Sequence, residues 1–77
     1  MDSANAIMVM WEELKSLVRA VEADITKSAQ GGISAGVRAR SGVRAVKAKC
    51  VELNRTMLER DKAVREEKKA LKESEEK

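Results

Sequence analysis

The chain has 77 residues, a net charge of +3, 38% charged and 1% aromatic residues, no proline, no histidine and one cysteine. Such a length allows one domain with a small core, and the composition fits long helices or a coiled coil rather than a globular interior. With neither a histidine nor a second cysteine there is no internal disulfide, no metal-ligand set and no activated nucleophile, so no metal, no cofactor and no enzymatic activity are expected.

The first predicted helix covers residues 3–29. Asp2 and Ser3 offer side-chain oxygens to the free amides of its first turn. Ala4, Ile7, Trp11, Leu14, Val18, Val21 and Ile25 then recur at alternating steps of three and four, a heptad seam. Met10 and Leu17 widen that seam, the pattern of a helix with more than one neighbour, as in a bundle. Trp11 reads as an interface anchor; a base-stacking role is poorly supported so far in sequence from the basic stretch.

The pattern stops at Ala29-Gln30-Gly31-Gly32. Glycine reaches positive φ without steric cost, so this pair is the strongest breaker in the chain and predicts the corner of a hairpin at residues 30–32. Charge also changes here. Residues 1–24 hold five acids and two bases, residues 25–51 six bases and no acid, and residues 52–77 eight of each. The six bases are Lys27, Arg38, Arg40, Arg44, Lys47 and Lys49. On a helix, Arg40, Arg44 and Lys47 fall on one side and Arg38 and Lys49 on the other, with a seam of Val43, Val46 and Cys50 between them. Either these stripes are borders that pair with Glu12, Glu13, Glu22 and Asp24 of the first helix, or they form a phosphate-binding surface to which Gly36, Ala39, Ser41 and Gly42 admit a close backbone. Glycines at 36 and 42 each cost about 1 kcal/mol in a helix, which predicts that its start frays or orders only on binding.

The second predicted helix spans residues 33–72. Its heptad runs through Val43, Val46, Cys50, Leu53, Met57, Val64 and Leu71, with Arg60 and Glu67 interrupting it. A first helix of ~40 Å covers the second only to about residue 60. Charged residues dominate beyond that point, and disorder is expected for residues 73–77. Cys50 reads as a small buried apolar residue.

Around the corner, Lys27-Ser-Ala-Gln-Gly31-Gly-Ile-Ser-Ala35-Gly-Val-Arg38-Ala-Arg40-Ser joins two amphipathic helices through a glycine, small residues and an Arg-x-Arg-Ser. This resembles the small histone-like nucleoid proteins of the chlamydial linker-histone type, without gaps from about Leu14 to Lys62. The resemblance implies a helical, dimeric module that compacts DNA without sequence preference, with Arg38 and Arg40 matching the family's arginines and Lys27 its preceding lysine. Two departures stand beside it: Ile33 replaces the lysine after the turn, and residues 52–77 are charge-balanced where the family is rich in lysine and alanine.

The expected fold is all-α, an antiparallel two-helix hairpin that dimerises into a four-helix arrangement. Its interface residues are Ile7, Met10, Trp11, Leu14, Leu17, Val18, Val21, Val46, Cys50, Leu53 and Met57. Two functions stay open. One is an architectural protein that holds DNA phosphates through the six bases. The other is a structural assembly part, such as a capsid, scaffold or complex subunit, that binds protein neighbours and no nucleic acid. No secretory signal is visible and residues 6–11, the longest strictly apolar run, cannot span a bilayer. The expected location is cytoplasmic, nucleoid-associated or within a virion.

Overall fold

The computed structural model describes residues 3–75. Two helices, α1 (Ser3–Ala29) and α2 (Ile33–Glu75), pack against each other as an antiparallel hairpin measuring 68 × 15 × 15 Å. The capping expected from Asp2 lies outside the described residues.

The corner has a definite hydrogen-bond scheme. Gly31 takes φ +97°, the only positive φ among the described residues. Its amide donates to the Ser28 carbonyl at 3.0 Å, and the Gly32 amide donates to the Lys27 carbonyl at 2.9 Å. This pair of bonds is a Schellman motif, which satisfies the last carbonyls of α1 and reverses the chain. The Gly36 amide then donates to the Gly32 carbonyl at 3.0 Å, the opening bond of α2.

Among the described residues four hydrophobic ones are buried: Leu14 and Val21 from α1, Ala35 and Ala39 from α2. The half-buried residues extend them into two ridges. On α1 the ridge is Ile7, Met10, Leu14, Leu17, Val21, Asp24 and Ser28; on α2 it is Ala35, Ala39, Gly42, Val46, Lys49, Leu53, Thr56 and Arg60. Both climb by threes and fours, as expected for knobs-into-holes packing. Each differs from the expected seam by one position at alternate layers. Met10, Leu17 and Asp24 take the inner places expected for Trp11, Val18 and Ile25. Gly42, Lys49 and Thr56 take those expected for Val43, Cys50 and Met57. The displaced residues are exposed.

Small residues explain the choice. A Cβ built on Gly42 would lie 2.5 Å from Val21 Cγ2, and one on Gly36 would lie 3.1 Å from Ser28 Oγ. Close approach of the two backbones near the corner therefore demands the Ala35–Gly36–Ala39–Gly42 side of α2. The expectation that Gly36, Ala39 and Gly42 admit a ligand is corrected, because α1 occupies the space; Ser41 is exposed. The expected fraying is corrected as well, since α2 is helical from Ile33 and Ala35, Gly36 and Ala39 are buried. The Thr56 hydroxyl donates to the Glu52 carbonyl at 3.0 Å, and the half-buried Lys49 reaches the carboxylates of Glu13 and Glu52.

Far from the corner, α2 outruns α1. Its last half-buried residue is Val64, and every position from 65 to 75 is exposed. The helix nonetheless continues to Glu75, so the disorder expected from residue 73 is not found there; residues 76 and 77 lie outside the described residues. Pairs such as Glu66 with Lys69 and Lys69 with Glu73 have the spacing that supports an exposed helix, at ~0.2–0.5 kcal/mol apiece.

Candidate nucleic-acid interface

The six bases do not form one patch. Arg38 Nε donates to Asp24 Oδ1 at 3.2 Å. The Lys49 ammonium donates to Glu13 Oε2 at 2.7 Å and lies 2.9 Å from Glu52 Oε2. Those contacts, to Glu13 first and Glu52 second, hold the Lys49 pKa above the usual lysine range. Both pairs cross between the helices on one flank of the hairpin, and they occupy two bases with acids of α1. Glu12 is also paired, within its own helix, to Lys15 at 2.8 Å.

Arg40, Arg44 and Lys47 are placed differently. Steps of four and three keep them together on α2, with Arg44 opposite Ala39, Gly42 and Val46, and the Arg40 guanidinium lying 3.7 Å from a Cβ built on Gly36. All three are exposed, and among the described residues none forms an ion pair. They span two turns, ~10 Å of helix. Val37, Val51 and Leu58 continue the same outer side, each more than half exposed. Lys27 stands apart: it lines a shallow depression with Arg19, Glu22, Ala23, Thr26 and Gln30, all on the outer side of α1 or at its end.

The expected interface residues also divide. Leu14 and Val21 are buried inside the hairpin, with Ile7, Met10, Leu17, Val46 and Leu53 half-buried beside them. Trp11, Val18, Cys50 and Met57 remain outside. Trp11, Leu14, Lys15, Val18, Arg19, Val46 and Cys50 line one open groove, which places the outer apolar residues Trp11, Val18 and Cys50 on a single flank with two bases of α1 beside them. It is the flank opposite the ion pairs. The Lys15 ammonium lies 5.6 Å from the Trp11 ring centre, a cation–π contact at its rim.

Among the described residues, no helix is long and apolar enough to cross a membrane. Among the described residues, no cluster of three or more Cys, Asp or Glu side chains could hold a metal ion. No protein-family model matches the chain, and neither a curated protein nor a solved structure matches it.

Proposed function

We propose that this chain is a small architectural nucleic-acid-binding protein, with no catalytic step, that self-associates through its hairpins. It holds phosphate backbones without sequence preference on the Arg40–Arg44–Lys47 side of α2. One observation carries the reading: the acids of α1 neutralise Arg38 and Lys49 and leave the outer stripe uncompensated. Unpaired cations at helical spacing on an exposed face suit a row of phosphates. The resemblance at the corner to histone-like nucleoid proteins points the same way, and with it a place at the nucleoid. Arg38, matched to that family by position, is assigned here to the hairpin rather than to phosphate.

The test is a titration of mixed-sequence duplex DNA at several salt concentrations. About three phosphate contacts per chain give a log–log salt slope near −3. Changing Arg40, Arg44 and Lys47 to Ala removes most of that slope, whereas changing Arg38 and Lys49 to Met leaves it and lowers thermal stability. Absence of binding at low salt refutes the reading. The second reading, a helical subunit that docks on protein alone, then stands; the exposed apolar flank of Trp11, Val18, Cys50 and Met57 favours it.

A further inference from the structure

We infer that the flank formed by Trp11, Val18 and Ile25 of α1 and Val43, Cys50 and Met57 of α2 is the face on which a second copy of this chain docks. The inference takes up the self-association proposed above and names its surface. It does not depend on phosphate binding.

The two flanks of the hairpin are unlike. One is bridged by Asp24–Arg38 and Glu13–Lys49. The other carries Trp11, Val18, Ile25, Val43 and Met57 at 43, 48, 46, 49 and 44% exposure, with Cys50 also exposed among them. None of these six positions bears a charge. Beside this face the bases Lys15 and Arg19 line the open groove from α1.

Its size fits a compact protein partner. Half-exposed side chains of these types offer ~50 Å² each and the indole ~100 Å², about 350 Å² of apolar surface per copy. A stable interface uses ~800 Å² per partner, a little more than half of it apolar. The aliphatic stems of Lys15, Arg40 and Lys47, which border the face by helical position, make up much of the difference.

The helices themselves indicate which protein that is. On each, the apolar positions of the inner ridge continue onto this flank, as in a helix with a second helical neighbour. Each has one neighbour inside the hairpin and lacks the second. The lack is on the same flank for both, because Leu14 and Val46 of the inner ridges also line the open groove. A second hairpin supplies one missing neighbour to each helix at once, and two-fold pairing of identical faces then covers this flank on both copies. The small core of the single hairpin, four hydrophobic residues among those described, is the expected state of a protomer whose interior is completed on assembly.

The experiment is sedimentation of the full chain over micromolar to millimolar concentration, with Trp11 emission and the maleimide reactivity of Cys50 followed in parallel. The expected mass rises to that of two copies; in step with it the emission moves to shorter wavelength and thiol labelling slows about tenfold or more, as burial in the interface requires. Val18→Glu and Val43→Glu each weaken association about a hundredfold by burying an unpaired charge. Val51→Glu and Leu58→Glu, on the outer side of α2, leave it unchanged. Should a glutamate variant lose helicity by circular dichroism, Val18→Ser and the wild-type thiol protection carry the comparison. A helical chain that stays single at every concentration overturns the inference. So does a dimer with unprotected Cys50 and unshifted Trp11, an assembly larger than two, or association lost in the outer-side variants instead. A single chain that still binds DNA defeats this inference and spares the phosphate reading; a dimer with these signatures that ignores DNA does the reverse.

Discussion

Gly42 and Gly36 lie six residues apart on one helix, yet replacing each by alanine should move stability in opposite directions. In a helix interior the change from glycine to alanine is worth ~1 kcal/mol in backbone entropy and propensity. At Gly42 the new methyl would meet Val21 Cγ2 at 2.5 Å and Val21 Cβ at 3.1 Å, where carbon atoms prefer roughly 3.5–4.0 Å. Val21 is buried and β-branched, so one rotamer dominates and it cannot swing aside. The helices must part, and such overpacking costs about 1–3 kcal/mol. The net expectation for Gly42→Ala is a loss of up to about 2 kcal/mol, or roughly 4–8 °C in Tm per kcal/mol for a chain of this size. At Gly36 the nearest atom is the Ser28 hydroxyl at 3.1 Å, on a rotatable bond, with Ser28 Cβ at 3.9 Å. There the propensity gain prevails, and Gly36→Ala should raise Tm by a few degrees. The assay is thermal unfolding by circular dichroism at one fixed chain concentration. Adding Val21→Ala to Gly42→Ala should recover part of the loss, as a positive coupling between contacting sites. A Gly42→Ala protein that melts at or above the wild-type temperature would refute the close approach of the helices and the choice of inner face with it.

Gly31→Ala places a side chain at positive φ and should cost ~1–2 kcal/mol, seen as a lower Tm with unchanged helicity in the cold; a neutral result would contradict the Schellman corner. Lys49→Met should lower Tm at neutral pH. Because the lysine pKa is raised in the folded chain, its contribution is complete below the ordinary lysine pKa and lost as pH climbs through the folded value. The Tm gap between wild type and Lys49→Met should therefore hold steady up to about pH 10 and close above it, and a gap that widens with alkali would count against the pairing with Glu13 and Glu52. Asp24→Asn removes the partner of Arg38; it should increase DNA affinity at low salt and lose that advantage as salt rises, which a pair of binding isotherms would show.

Helices, corner and direction were legible because the signals are local: two amphipathic runs, one double glycine and unequal lengths. The inner face was less so, for a reason specific to this chain. Ile7, Leu14 and Val21 on α1, like Val46 and Leu53 on α2, belong equally to two seams. Hydrophobicity selects the seam that also holds Trp11, Val18, Ile25, Val43, Cys50 and Met57. The hairpin instead adopts the one whose α2 members include Ala35, Ala39 and Gly42, because a short corner brings the backbones together and only small side chains fit between them. That is a property of interhelical distance, which periodicity does not encode. The acids available to the basic stretch were legible as a set; which of them pair, Asp24 and Glu13, follows from register and needed the folded chain.

The corner also orders the assembly of the molecule in time. Asp24 and Arg38 are separated by 14 residues of chain, whereas Glu13 and Lys49 are separated by 36. Closing the shorter loop costs less entropy, and each contact made there shortens the loop that remains for the next. The two arms are thus expected to zip from Gly31 outward on the fast timescale of locally connected helical proteins, and to unzip from the ends where Ile7 and Met57 lie. Amide exchange should read out that gradient turn by turn, slowest beside the corner and fastest at the tips.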